Sequence, residues 1–226
     1  MNQKYFLDRK SNMNQNKLDK KWIDLYAKFF RREAHQLLAW GYQDALPKIE
    51  PNSEEEAITG SIVEAMKNRM SMDDKFDPYF VDEERPILGE GRKGKHRRRL
   101  DIVVQFSNSQ PRLEYIFEAK RLRTNGFAIG KYTGEEGLQC FINGIYASEF
   151  PEAAMIAYIQ SDDCDRWEKE LKGKFDKDSE NILKIKQKLQ RVIVIEDIPD
   201  EWLSEHERAT GKPILIYHIF LDCCCL

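Results

Sequence analysis

Apolar residues recur at intervals of three and four through 16–41, at Leu18, Trp22, Leu25, Tyr26, Phe29, Phe30, Ala34, Leu37 and Leu38, a spacing that lines one face of a helix. Residues 1–14 ahead of it are rich in Asn and Lys, lack periodicity and read as a loose arm. After Pro47 and Pro51, the run Asn52-Ser53 followed by Glu54, Glu55 and Glu56 is a helix start with an acidic first turn. This second helix is expected to reach about Met70, with Ile58, Ile62, Ala65, Met66 and Arg69 on its inner stripe. Glu55 lies three residues before Ile58 and seven before Ile62, so it projects from the same stripe toward a sheet. Strand patterns follow at 79–88, 99–106 and 113–120, joined by Gly-rich and Ser-Asn-Ser-Gln-Pro turns, and predict an antiparallel meander. A helix over 132–147, an apolar strand over 153–160, charged helices near 165–190 and strands at 191–195 and 213–222 complete the reading. With no internal repeat or long linker, one α/β domain accounts for the chain: 1–50 as arm and amphipathic helix, 51–160 as core, and 161–226 completing the same domain.

Composition narrows this picture. The 226 residues are 41% apolar and 33% charged, the profile of a soluble globular chain long enough to bury a core without staples. No stretch approaches the ~20 apolar residues of a membrane span, and the polar, charge-broken N-terminus lacks the apolar core of a secretory signal. A cytoplasmic protein without membrane contact is expected. The cysteines, Cys140, Cys164 and the run Cys223, Cys224 and Cys225, show neither a disulfide framework nor a paired knuckle, so reduced thiols are expected. The terminal Cys-Cys-Cys-Leu fits a prenylation box poorly and reads as the frayed end of a buried strand.

The net charge is only −3, so nucleic-acid binding would have to come from a local patch. Such a patch exists at residues 92–99, where Arg92, Lys93, Lys95, Arg97, Arg98 and Arg99 stand directly before an apolar strand. In that strand Leu100, Ile102 and Val104 occupy one face, and Asp101 with Val103 the other. In the next, Glu118 and Lys120 are two apart and share a face at the end of an otherwise core-like run. If the strands pair, Asp101 sits beside Glu118. Two neighbouring carboxylates stay ionised together only with a cation between them, and hard oxygen ligands favour Mg²⁺ or Mn²⁺. In phosphodiester hydrolysis such a metal offsets developing charge and lowers the pKa of a water, while an ammonium such as Lys120 stabilises the attacking oxygen or the phosphorane.

Leu100-Asp101 followed by Glu118-Ala119-Lys120 on the next strand, after a glutamate-bearing helix and before another helix, resembles the PD-(D/E)XK nuclease superfamily over about residues 52–160. The resemblance implies a restriction-endonuclease-like αβββαβ core, with a mixed central sheet flanked by helices. It also implies a metal held by Asp101, Glu118 and the Ala119 carbonyl, and Lys120 positioning the nucleophilic water. Glu55 matches the first-helix glutamate, with Glu54, Glu56 and Glu64 as competitors, and Gln139 falls where several branches carry a glutamine near the scissile phosphate. Leu100 replaces the motif's proline, a departure that removes no ligand. The expected function is an Mg²⁺-dependent endonuclease acting on DNA, with RNA as a second substrate, in a restriction or antiviral defence setting. The absence of a separate recognition domain favours an alternative, a subunit activated by or docked on another protein, with the exposed side of helix 16–41 and the charged helices at 165–190 as docking surfaces. Homodimerisation is a further expectation.

Other signals carry less. Gly126 to Thr133 is one residue short of a phosphate loop and has Tyr132 where a magnesium-binding hydroxyl belongs, although Lys131 and Tyr132 could still touch a nucleic-acid backbone at a helix start. His35, His96, His206 and His218 show no paired ligand spacing, and His218 reads as a core residue.

Overall fold

A computed structural model describes residues 28–87, 97–109, 112–208 and 211–224. The N-terminal arm, the first half of the first helix, Leu88, Arg92, Lys93, Lys95, His96 and Cys225 lie outside the described residues. The first helix, α1, covers 28–45 and buries Phe30, Ala34, Leu37 and Leu38, while Phe29 faces outward at 54% exposure. After a 3-10 turn, α2 (Glu55–Met70) buries Ile58, Thr59, Ile62, Val63 and Met66. Arg69 shares the angle of Ile58 and Ile62 but lies in the last turn of α2, where it is exposed and pairs with Asp44 instead of lining the stripe. The two helices touch at Gly41, where a Cβ would lie 2.7 Å from the Ile62 carbonyl oxygen and 2.5 Å from Met66 Cγ. Only a glycine permits that approach.

Strands β1 (Tyr79–Pro86), β2 (Arg99–Phe106) and β3 (Leu113–Leu122) form the antiparallel meander, and β4 (Glu152–Ile159) runs parallel to β3. Between β3 and β4 the single helix expected over 132–147 is replaced by two short ones, α3 (Ile129–Tyr132) and α4 (Leu138–Ile142). The glycines explain the break. A side chain at Gly134 would press on the Gly130 carbonyl oxygen at 2.6 Å, and one at Gly137 on that of Tyr132 at 2.3 Å, so the chain folds back where a helix would continue. Gly144, at φ 70, ends the segment.

The C-terminal third departs furthest from expectation. One helix, α5 (Cys164–Asp176), is followed by β5 (Ile185–Arg191), β6 (Glu201–His206) and β7 (Ile214–Asp222). Residues 185–190, expected to be helical, alternate partly buried and exposed positions as an edge strand, and 192–195 form a loop where a strand was expected. All seven strands make one mixed sheet in the order β1-β2-β3-β4-β7-β6-β5, with β4 and β7 parallel and both outer pairs antiparallel. Residues 161–226 thus extend the sheet that the first half begins. One face packs against α1 and α2 around Ile102, Val104, Phe117 and Ile156, the other against α3, α4 and α5 around Val103, Ile116, Met155 and Phe220. Leu100 joins this second cluster and so parts from Ile102 and Val104. No helix among the described residues is long and apolar enough to cross a membrane.

The second face encloses a polar chain. Tyr132 Oη lies 2.9 Å from His218 Nδ1, His218 Nε2 is 2.8 Å from Ser204 Oγ, and Ser204 Oγ is 2.7 Å from His206 Nε2. His206 Nδ1 ends the chain 2.6 Å from the Leu183 carbonyl. A carbonyl accepts only, so His206 carries its proton on Nδ1, and Ser204 must donate its single hydrogen to His206 Nε2. Ser204 then accepts from His218 Nε2–H, and His218 Nδ1 accepts from Tyr132. One direction of donation satisfies the ring nitrogens with both imidazoles neutral, Tyr132 sharing its hydrogen with the Met155 carbonyl at 3.2 Å, and burial lowers His206 and holds His218 well below the ordinary range. On the opposite face the buried His35 bridges Tyr115, at 2.9 Å, and Glu201, at 3.1 Å in a geometry too bent for a hydrogen bond.

Candidate active site

Pairing of β2 with β3 ends at Ile102 opposite Phe117, and one further step of the same register sets Asp101 opposite Glu118. There the strands part, and Asp101 Oδ2 accepts the Ala119 N–H at 2.6 Å, so a side chain stands in for the missing backbone acceptor. Glu118 and Lys120 project from one face of β3 as their spacing requires. Lys120 Nζ donates to Glu118 Oε1 at 2.9 Å, to Glu55 Oε1 at 3.0 Å and to the Ala119 carbonyl at 2.7 Å, with Asp101 Oδ2 at 4.0 Å. Asp101, Glu118, Lys120 and Glu55 are therefore brought together from β2, β3 and the first turn of α2.

Glu55 is the glutamate of its helix that reaches the cluster, for a local reason. Its second oxygen accepts the Arg121 N–H at 3.0 Å, while the Arg121 guanidinium bonds the Ser53 carbonyl, pairs with Glu54 and lies 4.0 Å from the centre of the Phe127 ring. Arg121 fastens the start of α2 to the end of β3, draws Glu54 outward and leaves Glu55 inward. Glu56 and Glu64 are exposed. Sequence reasoning passed over Arg121 because a third charged residue at a strand end reads as surface.

It also missed Glu84. On β1, Glu83 pairs with Ile102 and Arg85 with Leu100, so Glu84 falls beside Asp101, and its φ of 50 is a left-handed conformation that a non-glycine residue rarely adopts. Burial raises its pKa, which Arg99 partly offsets and Glu56, Glu83 and Glu55 reinforce. Nothing in Asp-Glu-Glu-Arg-Pro distinguishes this acid from its neighbours.

Burial dominates the electrostatics. It pushes the Asp101 carboxyl up to about 6 against the pull of Lys120 and the Ala119 N–H, with Glu55 and Glu84 adding to the rise. Glu118, 3% exposed, is raised well above the carboxylate range by burial and then by Asp101. For Lys120 burial acts downward, but Glu118, Asp101 and Glu55 reverse it and hold the ammonium protonated. Glu118 Oε2 is buried with no hydrogen-bond partner among the described residues.

That orphaned oxygen bears on metal binding. Asp101, Glu118 and the Ala119 carbonyl are hard oxygen donors, and two buried carboxylates that repel each other beside an unsatisfied oxygen fit a divalent cation. No group of three His, Cys, Asp or Glu side chains among the described residues is arranged to surround an ion. The reason is visible: Lys120 Nζ stands among the three acids where a cation would otherwise lie.

The remaining expected residues divide. Arg98 Nη1 donates to Cys140 Sγ at 3.0 Å, and Arg99 bonds the Glu84 carbonyl and faces its carboxylate at 3.8 Å, so both lean toward the cluster. Arg97 is partly buried beside them. Cys140, pushed up to about 11 chiefly by burial, also feels Glu118 and Lys120, as does the neighbouring Tyr146 for Glu118. Lys131 is exposed, 5.8 Å from the Phe127 ring centre. Tyr132 is a correction: fully buried and bonded to His218, it belongs to the core and cannot touch a nucleic-acid backbone. Gln139 does not join the carboxylates; its amide donates to the Thr133 carbonyl at 3.4 Å and its side chain lines a groove toward α5. Compared with protein-family models, curated proteins and solved structures, the chain matches none.

Proposed function

We propose that this chain is a metal-dependent nuclease of the PD-(D/E)XK, restriction-endonuclease-like class, acting in the cytoplasm on DNA within a restriction or antiviral defence system. The observation that carries the reading is the meeting of Asp101, Glu118, Lys120 and Glu55 where β2 and β3 part, on elements in the order helix, three strands, helices, strand. Asp101, Glu118 and the Ala119 carbonyl would hold Mg²⁺ or Mn²⁺, which supplies charge neutralisation at a phosphoryl oxygen and a more acidic water. Lys120 stays protonated and places its positive charge beside the attacking oxygen and the developing phosphorane. Glu55 keeps Lys120 aimed, and burial excludes bulk water.

An ammonium has three donors, and Lys120 commits all three to Glu118, Glu55 and Ala119 O. Were Glu118 and the Ala119 carbonyl to hold a cation, two of those donors would be released, so the arrangement reads as a resting one. This favours a second reading, in which a partner protein or the substrate must trigger the site.

The test is cleavage of supercoiled plasmid, single-stranded DNA and RNA by the full chain in Mg²⁺ or Mn²⁺, beside Asp101→Asn and Lys120→Met. Cutting abolished by both substitutions and by a chelator is the expected result. Cutting that survives either substitution would sink the assignment, and an inert parent that binds DNA without metal would favour the partner-triggered form.

A further inference from the structure

A groove of about 920 Å³ separates α5 from the chain between Gly130 and Gln139. The lining residue Gln139 is next in sequence to Cys140, which accepts a hydrogen bond from Arg98 on the segment that leads into Asp101. Its α5 wall is a stripe at helical spacing: Arg166, Lys169, Gly173, Lys174 and Lys177. The opposite face of α5 buries Trp167, Leu171 and Phe175.

Three observations give the groove a direction. Lys169, Lys174 and Lys177 make no ion pair with any described residue, whereas Arg166 on the same wall is paired with Asp162. They form a row, with rises along the helix of about 7.5 and 4.5 Å, which suits an extended polyanion better than a single phosphate. Of the four acids in the lining, two are held at the backbone, Asp163 on the Arg166 N–H and Asp178 on the Ile182 and Leu183 N–H groups, so their charges are fixed at the two ends of α5, with the lysine row between them.

The third observation is Gly173. A glycine in the middle of a helix costs about 1 kcal/mol relative to alanine, and packing gives no reason for it, since a Cβ built there meets nothing within 4 Å. Across the groove, a Cβ at Gly130 would lie 3.8 Å from Lys174 Nζ. Lys174 thus reaches across the groove to Gly130, where the opposite wall carries no side chain, and Gly173 leaves the α5 wall open.

The geometry points to this groove as the track for the phosphodiester backbone of the nucleic-acid strand flanking the cleaved bond, with Lys169, Lys174 and Lys177 as its phosphate contacts and Gln139 at its head. The inference rests on the nuclease reading for its substrate class, yet binding tests it without catalysis.

The experiment measures fluorescence anisotropy of labelled single-stranded DNA, duplex DNA and RNA with the full chain in EDTA, across a salt series. The Lys169→Gln, Lys174→Gln, Lys177→Gln triple variant is expected to bind at least tenfold more weakly, with a salt slope shallower by about two to three. Gly173→Gln is expected to raise the melting temperature and yet weaken binding, a combination that damage to the fold cannot produce. The strand type most weakened by both variants identifies the occupant. A triple variant within twofold of the parent, or a parent that binds none of the three probes, overturns the track. Binding that depends on the lysines in a chain that never cuts would uphold the track and move the nuclease reading to its partner-triggered form; cutting and binding indifferent to them would overturn the track and leave the nuclease reading standing.

Discussion

Glu118 shows how a single residue can work against the fold that holds it. A buried carboxylate facing Asp101, with one oxygen unsatisfied, is costly unless protonated or joined by a cation. Glu118→Gln keeps the shape and the acceptor for Lys120 while removing the charge, so it is expected to abolish cleavage and leave the melting temperature at or above the parent's. Mg²⁺ should raise the parent's melting temperature by a few degrees, about the effect of ~1 kcal/mol for a chain this size, and leave that of Glu118→Gln unchanged. A variant that melts well below the parent would mean that the charge is part of the structure. The buried histidines make the matching statement about pH. Unfolded, His206 and His218 take a proton near pH 6.5, whereas in the fold burial lowers the pKa of His206 and holds that of His218 well below its ordinary value. Between the two values the unfolded chain binds more protons, so stability present above pH 6.5 falls as pH drops, by at most about 1.4 kcal/mol per histidine per pH unit. Ser204→Ala, which leaves both ring nitrogens without their shared partner, should cost ~1–3 kcal/mol, measurable by denaturant unfolding at pH 8.

Among the elements, α1 and α2 approach at Gly41 with no room for a side chain. Gly41→Ala places a methyl group against the Ile62 backbone, so the helices must separate and the chain is expected to lose ~1–3 kcal/mol, read as a lower urea midpoint with the same slope. The same elements show how far the sequence could be read. Strands β2 and β4 and helix α2 were legible because their apolar spacing and turn chemistry agree; period-two alternation put Glu118 and Lys120 on one face and Asp101 within reach, while Glu55 stood beside Glu54, Glu56 and Glu64 as competitors. The segment between β3 and β4 was not, because the apolar pattern of 138–147 is helical while Gly134 and Gly137 forbid the turn before it. β6 escaped notice because its buried positions include Glu201, Ser204 and His206, polar groups whose partners lie on other elements. β5 looked helical because Lys and Gln are good helix formers, and its alternation of partly buried and exposed residues shows only once β6 lies beside it. Gln139 was read from its position in a helix that does not exist in one piece.

For the molecule as a whole, the sheet decides what can be removed. β4 is buried along seven of its eight residues and is held by β3 on one side and β7 on the other. A chain ending at residue 160 keeps every residue of the cluster yet exposes the full β7 side of that strand. It is expected to be insoluble or to show no cooperative unfolding, checked by expression and circular dichroism; a folded, melting fragment would show that 161–226 is dispensable. The cluster is thus expected to depend on the whole sheet, although Glu55, Asp101, Glu118 and Lys120 all precede residue 121.

The bond from Asp101 to the Ala119 N–H adds a consequence for anyone testing this site. One oxygen atom serves as the last rung of the β2–β3 ladder and as a member of the carboxylate cluster. Truncation to alanine would take away both at once, letting the strand ends splay and swinging Lys120 out of register, so an inactive Asp101→Ala protein reports on joinery as much as on chemistry. Asparagine retains the rung and deletes the charge. The difference between those two variants in amide exchange at Ala119, set against their shared loss of cutting, separates the carpenter's role of this residue from the chemist's.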